Sequence, residues 1–221
     1  MLFRSQLGPF NFQPSELAKY AVVVHAAVLL SANKARVRSW RHGMLPVLMW
    51  SLPVSILIAL QPNLSTASVI FLIVVVMMFL ADVRPMHLLA LISTGVTAAG
   101  MYAMTAEYRR RRLMAFFGGD SGAIDENVRY QVDQALIAFG NGGISGVGPG
   151  QSRQRDWFLP ESYGDFIFSI VGEEYGFIGI CFLIGAFALI MWRGYTVARK
   201  APDAFGRLLA GGITTTLAIY A

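Results

Sequence analysis

The residues that decide the fold are 166-FIFSIVGEEYGFIGICFLIGAFALIMW-192, an apolar block whose only charged members are Glu173 and Glu174. A helix of about 20 apolar residues crosses the hydrocarbon core of a bilayer. Similar blocks occupy 16–32, 44–60, 64–81 and 86–104, and a sixth begins near 207 and runs to 221. The sequence therefore predicts an all-α fold, a polytopic bundle of transmembrane helices in a single membrane domain.

The composition agrees with this class. Of the 221 residues, 55% are hydrophobic and only 14% are charged, and the mean hydropathy is +0.54. Soluble domains usually carry about 25% charged residues. The net charge of +5 is best read as a topology signal, because basic residues of membrane proteins concentrate on the cytoplasmic side. We therefore expect no nucleic-acid partner.

The connections between the blocks predict the orientation of the chain. The segments 33–43 and 193–207 each carry four basic residues, which places both in the cytoplasm. The spans between them then return the chain to the same side, and the long loop 105–165 lies on the extracytoplasmic side. The segment before residue 16 also lies outside, which requires an odd number of earlier spans. We therefore expect the chain to be part of a longer protein.

An arginine run, 109-RRRR-112, lies in this external loop against the usual bias. Long loops follow the bias weakly. The run has two interpretations. It is either the solvated basic end of a helix or a site, including Arg109 and Arg112, that binds an anionic lipid or a diphosphate.

The same loop ends in the candidate catalytic residue, Asp165, directly before the apolar block. Asp165 either caps the helix that follows or offers a carboxylate at the lipid–water boundary as a general base or metal ligand. The glycine-rich segment 140–150 is either a flexible connector or backbone that wraps a ligand. It lacks the Lys-Ser or Lys-Thr ending of a nucleotide loop, and we expect no organic cofactor.

Two further pairs of charged residues are candidates. Glu173 and Glu174 lie deep in an apolar block, where ionisable groups usually face a bundle interior or a wet cavity and are functional. The alternative is a structural partner elsewhere in the bundle. Glu16 and Lys19 are three residues apart on one helical face, either as an anchor pair at the membrane edge or as part of a site.

Several motifs in order resemble the SEDS family (FtsW, RodA and SpoVE), which polymerises peptidoglycan from lipid II. The motifs are 12-FQPSELAK-19, 61-QPNLST-66, Tyr130-Gln131, Gln134-Ala135-Leu136, the glycine run through Gly148 and Gly150 to Ser152, 159-LPE-161, 165-DFIF-168 and 172-GEEYG-176. The sequences of the glycine run and of residues 168–174 are closer to FtsW, the division member, than to RodA. The chain departs from the family at Asn63 and Ser65, and at Tyr163-Gly164 before Asp165.

The resemblance implies a SEDS-type bundle, of which this chain covers about the fourth to the ninth of ten helices. It implies that Asp165 is the essential acidic residue and that Glu16 and Lys19 belong to the site. It also implies lipid II and a polyprenyl-linked glycan as substrates, and a class B penicillin-binding protein and divisome membrane proteins as partners. We expect substrate binding by Glu16, Lys19, Arg109, Arg112, Gln131, Gln134, Ser152 and Glu161.

The hypothesis is glycosyl transfer at the outer face of the bacterial cytoplasmic membrane, for septal wall synthesis. Asp165 acts as the general base or holds a divalent cation, magnesium or manganese. The main alternative is a flippase or transporter of lipid-linked cell-wall precursors, which would use Glu173 and Glu174 as cavity carboxylates. A scaffold that only binds partners is the third class, and it would tolerate charge removal throughout 140–165.

Overall fold

The computed structural model describes residues 5–7, 10–12, 14–32, 37–61, 63–105, 126–158, 164 and 166–220. These residues are mainly helical. They begin with a small antiparallel hairpin, which the sequence analysis did not predict, formed by β1 (Ser5–Leu7) and β2 (Phe10–Phe12) with Leu7 paired to Phe10.

Eight α-helices follow the hairpin in the described part of the chain. They are α1 (Pro14–Ala32), α2 (Leu45–Leu60), α3 (Leu64–Leu80), α4 (Pro85–Met104), α5 (Glu126–Gly142), α6 (Arg153–Trp157), α7 (Ile167–Lys200) and α8 (Ala204–Tyr220). A short π-helical turn, Trp40–Met44, leads into α2.

Helices lie at each of the apolar blocks. Within the described residues, Pro14–Ala32, Trp40–Leu60, Pro85–Met104 and Ile167–Lys200 are long and apolar enough to cross a membrane, and Leu64–Leu80 is a shorter apolar helix. The predicted all-α membrane bundle is therefore confirmed. The largest difference lies at α7, which continues to Lys200, past the predicted end at residue 192.

Asn63, one of the two departures in the 61–66 motif, has a local role. Its side-chain oxygen accepts a hydrogen bond from the backbone N–H of Thr66 at 3.1 Å, so Asn63 caps α3. Asparagine and aspartate are comparably good helix caps because each offers an oxygen to the unpaired N–H groups of the first turn. This capping function therefore does not need a carboxylate.

The described chain forms two compact units. The first comprises Met1–Gly95 and Leu189–Ala221, and the second comprises Val96–Ala188. In the first unit α1, α3 and α8 pack on one another, and α2 packs on α1 and α3. Val23, Ile70, Met77 and Leu208 are buried in its core.

Close helix packing in the first unit depends on small residues in α8. A Cβ atom on Gly212 would lie 2.8 Å from Val23 Cγ1 of α1 and 3.0 Å from Met77 Sδ of α3. Small residues at such crossings let membrane helices approach closely, which strengthens the dispersion contacts between them. These contacts matter because lipid tails are as apolar as the helix surfaces, so the hydrophobic effect does not drive the helices together. Gly212 therefore marks the point where three helices meet.

The buried hydroxyls next to Gly212 donate within their own helix, and the Thr215 hydroxyl also shares a hydrogen bond with the Tyr195 hydroxyl at 3.1 Å. Thr214, Thr215 and Thr216 donate to the carbonyl oxygens of Ala210, Gly211 and Gly212 at 2.7–2.8 Å. This back-bonding removes the cost of an unpaired hydroxyl in an apolar setting. It lets a threonine cluster be buried in a membrane bundle.

We expect Gly212→Ala to destabilise the protein by about 1–3 kcal/mol, because overpacking forces neighbouring side chains to shift. The thermal unfolding of detergent-solubilised protein would show it as a lower midpoint. Gly185→Ala is the matched control, since a Cβ on Gly185 meets nothing within 4 Å. Equal midpoints for the two variants would contradict the packing role of Gly212.

Candidate functional site

The second unit is organised around a break in α7. Gly176 has φ 65° and ψ −164°, which no α-helix contains, so the helix is interrupted there. The interruption removes the helical hydrogen bonds that would join the N–H groups of Phe177 and Ile178 to the carbonyl groups of Glu173 and Glu174.

The glycine-rich loop supplies the missing partners. Phe177 N and Ile178 N donate to the carbonyl oxygens of Gly143 and Ile144, at 2.9 and 3.2 Å. In return, Val147 N and Gly148 N donate to the carbonyl oxygens of Glu173 and Glu174, both at 3.0 Å. Irregular backbone within a membrane protein needs such protein partners, because no water is at hand to replace them. We call these four hydrogen bonds the loop splice.

Glycine is required where the two backbones meet. Gly146 has φ 81°, and a Cβ on it would collide with the backbone carbonyl of Glu174. A Cβ on Gly176 would collide with the backbone of Gly146 and Ile144. Both residues combine a positive φ with direct backbone contact, and only glycine meets both demands without strain.

Helix α5 and the first part of α7 are also in close contact. A Cβ on Gly142 would collide with the carbonyl oxygen of Gly172, and the rings of Phe139 and Phe168 meet edge to face with centroids 5.8 Å apart. The glycine run is therefore a packed element of the second unit. The contacts of this segment with α7 do not fit the interpretation as a flexible connector.

Glu173 is the most buried acidic side chain described, with 1% of its surface exposed. Its Oε1 accepts a hydrogen bond from Asn141 Nδ2 at 3.3 Å. Its Oε2 accepts from the hydroxyl of Ser152 and from the backbone N–H of Gln154, the latter at 3.2 Å. A buried carboxylate is costly unless its oxygens are hydrogen-bonded, and three loop donors meet that requirement here.

Ser152 extends this network into α6. Its hydroxyl accepts a hydrogen bond from the backbone N–H of Arg155 at 3.1 Å while donating to Glu173, so Ser152 is the N-cap of α6. The residue is fully buried. The predicted substrate contact of Ser152 is untested, and the contacts described here are with protein atoms.

Glu174 pairs with a basic residue of the same loop. Arg155 Nη1 lies 2.9 Å from Glu174 Oε1, and Arg155 Nη2 donates to the carbonyl oxygen of Gly150 at 3.0 Å. Glu174 is 9% exposed. Both carboxylates of 172-GEEYG-176 thus bind the loop 141–155, which corresponds to the structural partner that the sequence left open.

The other predicted acid–base pair lies in the first unit. Lys19 is 2% exposed, and its Nζ lies 2.6 Å from Glu16 Oε2 and 3.8 Å from the centre of the Tyr220 ring. An ammonium over an aromatic face gains electrostatic stabilisation from the negative face of the ring. The buried lysine therefore has both an anionic and an aromatic partner.

An apolar groove of about 320 Å³ lies between α1 and α2. Its lining includes Ala18, Ala21, Val47 and Trp50. His25 also lines it and meets the Trp50 ring edge to face at 5.4 Å. The small alanine side chains of α1 leave this space open.

The remaining predicted site residues divide into two groups. Gln131 and Gln134 lie on α5 and are partly exposed, three residues apart and so on one helical face. Arg109, Arg112, Glu161 and Asp165 lie outside the described residues. The roles proposed for all these residues stay predictions.

Sequence reasoning missed four residues of these networks, Asn141, Gln154, Arg155 and Tyr220. A signal existed for Arg155: a buried glutamate needs a cation or several donors, and 151-QSRQRD-156 is rich in both. The sequence offered no way to choose between Arg153 and Arg155. Gln154 contributes its backbone N–H, which every residue except proline carries, and so leaves no side-chain signature.

A metal site is not evident in the described part of the chain. No three His, Cys, Asp or Glu side chains come together there. The predicted magnesium or manganese ion was assigned to Asp165, which lies outside those residues. No step proposed below depends on a metal ion.

We expect Gly146→Ala to cost more than about 2 kcal/mol, because it adds the strain of a positive φ to a backbone collision with Glu174. Thermal unfolding would report the loss. Gly140→Ala serves as the control because a Cβ on this exposed α5 residue meets nothing within 4 Å, and alanine favours helix by about 1 kcal/mol. Tolerance of Gly146→Ala would contradict the loop splice.

Comparison with known proteins identifies the family. The model of the FtsW, RodA and SpoVE cell cycle proteins matches residues 5–221. The probable peptidoglycan glycosyltransferase FtsW of Geobacter sulfurreducens is 36% identical over 214 residues, 97% of this chain and 57% of that protein. Stage V sporulation protein E of Bacillus subtilis is 36% identical over 213 residues, 96% of this chain and 58% of that protein.

Solved structures agree. A chain in a peptidoglycan synthase complex that coordinates polymerization and crosslinking superposes with a TM-score of 0.69 at 25% identity, covering 97% of this chain and 59% of that one. RodA of Thermus thermophilus gives 0.60 at 27% identity, covering 97% and 53%. The chain thus spans less than two thirds of the relatives it matches. It belongs to the FtsW/RodA/SpoVE family and is an integral membrane protein with that family's helical fold.

Proposed function

We propose that the protein is a peptidoglycan glycosyltransferase that polymerises lipid II into glycan strands. The observation that carries this proposal is the match of 97% of the chain to relatives named peptidoglycan glycosyltransferase FtsW. The FtsW name also supports a role in septal wall synthesis. The reaction would take place at the outer face of the bacterial cytoplasmic membrane, where the loop 105–165 is predicted to lie.

The proposed step is an inverting displacement. The 4-hydroxyl oxygen of lipid II bonds to the anomeric carbon of the growing glycan, and the bond from that carbon to undecaprenyl diphosphate breaks. Asp165 takes the hydroxyl proton as general base, a contribution of about 10²–10⁴-fold. The diphosphate leaves as an anion, so it needs positive charge more than it needs an acid. Arg109 and Arg112 are the proposed sources of that charge.

The described neighbours of Asp165 in the sequence support this position. Helix α7 begins at Ile167, whose N–H donates to the carbonyl oxygen of Gly164 at 3.4 Å. The N-terminal end of a helix carries partial positive charge, which favours an anionic group close to it. The start of α7 is therefore a favourable place for the carboxylate that the proposal assigns to Asp165.

The first unit offers features suited to the lipid part of the substrate. The groove between α1 and α2 has the apolar lining that a polyprenyl chain needs. Lys19 and Glu16 lie in the same helix as that lining. We propose that this pair contacts a substrate headgroup. The same role is proposed separately for Gln131, Gln134 and Glu161 of the second unit.

The flippase alternative is less well supported by the contacts of the acidic residues. A transporter would use Glu173 and Glu174 as carboxylates lining a cavity. Both instead bind donors of the loop 141–155. These contacts favour a fixed loop over a carboxylate that carries an ion or a headgroup.

Partners and cofactor are proposals of the same kind. The similarity to a chain of a peptidoglycan synthase complex supports a class B penicillin-binding protein as the cross-linking partner. Divisome membrane proteins follow from the FtsW relatives. A magnesium or manganese ion at Asp165 is proposed from the family resemblance, and no organic cofactor is expected.

The deciding experiment is polymerisation of lipid II by the full-length protein with its penicillin-binding partner, with glycan chains resolved on a gel. We expect Asp165→Ala and Asp165→Asn to lower the rate by about 10²–10⁴-fold, the usual contribution of a general base. Asp203→Asn is the control. This exposed carboxylate accepts a hydrogen bond from Gly206 N at 2.7 Å, between α7 and α8.

Each outcome has a distinct meaning. Polymer from wild type and the control, with little from the Asp165 variants, supports both the transferase and its base. Full activity of both Asp165 variants would leave Asp165 as a helix cap. No polymer from wild type, with lipid II translocated across vesicle membranes, would favour the flippase.

A further inference from the structure

We infer that Glu173 is a positioning residue for glycosyl transfer. Its carboxylate holds the loop 141–155 in one place relative to α7, and thereby sets the position of the segment that carries Asp165. The inference rests on the proposed function for its consequence, but its structural content stands on the contacts of Glu173 alone.

The first argument is the direction of the hydrogen bonds. Asn141 lies in the last turn of α5, Ser152 caps α6 and Gln154 lies within α6. All three donate to one carboxylate in α7. A single side chain thus joins three helices that are separated in sequence by as many as 32 residues. With 1% exposure, it has little surface left for any other partner.

The second argument is the place of Asp165 in the chain. Helix α6 precedes Asp165 in the chain, and the N–H of Phe158 at its end bonds to the carbonyl oxygen of Gln154 at 3.2 Å. Helix α7, which contains Glu173, follows Asp165. Glu173 therefore binds the elements on both sides of the proposed base. A misplacement of about 1 Å can cost about 10²-fold in rate.

The third argument comes from the chemistry of the acceptors. A glutamine at 173 would present an NH₂ group to one of these donors. At the Oε2 position it would face the backbone N–H of Gln154, which cannot reorient. At the Oε1 position it would face the NH₂ group of Asn141. An aspartate at 141 would instead accept from that new NH₂ group, so the exchange of amide and carboxylate between the two positions restores the hydrogen bond.

The test uses the full-length protein with its partner, and measures kcat, KM and the pH dependence of kcat/KM for lipid II. We expect Glu173→Gln to lower kcat about tenfold or more, with KM changed less than about threefold and the same inflections in the pH profile. Adding Asn141→Asp to Glu173→Gln should restore kcat to within about threefold of wild type. Asp203→Asn is the control that should keep wild-type activity.

Hydrogen–deuterium exchange gives a readout that needs no activity. We expect Glu173→Gln to increase exchange in 147–154, and the double variant to restore protection, while Ala204–Tyr220 stays unchanged. If wild type makes no polymer, the proposed function fails, and exchange still decides whether Glu173 holds the loop.

Three results would overturn the inference. They are wild-type kcat in Glu173→Gln, no recovery in the double variant, and a lost inflection in the pH profile. The lost inflection would assign the carboxylate a chemical role in proton transfer. If Glu173→Gln unfolds the protein and Asn141→Asp does not restore folding, the result counts as no recovery.

Discussion

The constraint on which the second unit depends is the hydrogen bonding of backbone at a helix break. The conformation of Gly176 opens two helical hydrogen bonds, and the loop splice closes the gap with four. In a bilayer an open break would leave polar groups without water, at a cost of several kcal/mol each. The break and the glycine-rich loop therefore depend on each other. A change in either one leaves backbone N–H and carbonyl groups of both without hydrogen-bond partners.

The buried carboxylates follow from the same arrangement. Once the loop lies against α7, its side-chain and backbone donors surround Glu173, and Arg155 reaches Glu174. A buried ion pair adds little net stability, because desolvation offsets its attraction. Its value lies in geometry, since breaking it leaves an uncompensated charge. The acidic residues in the middle of an apolar helix thus make one position of the loop strongly preferred.

The first unit is held by different means. Its helices approach through Gly212 and bury threonines whose hydroxyls bond within α8. Lys19, a buried charge in this unit, is matched by Glu16 and by the face of Tyr220. Tight packing of this kind suits a scaffold, whereas the second unit fixes a loop.

The apolar blocks of the sequence were sufficient to predict the helical membrane fold, because each span carries its own signal of length and hydropathy. The ordered motifs, from 12-FQPSELAK-19 to 172-GEEYG-176, were sufficient to predict the family. The tertiary structure alone decided that α7 breaks at Gly176, that the glycine run fills the break, and that Glu173, Glu174 and Lys19 have the partners Ser152, Arg155 and Tyr220. These pairings join residues far apart in the chain. Several donors could have served each buried carboxylate, and only the packing of the helices brings one set within hydrogen-bond distance.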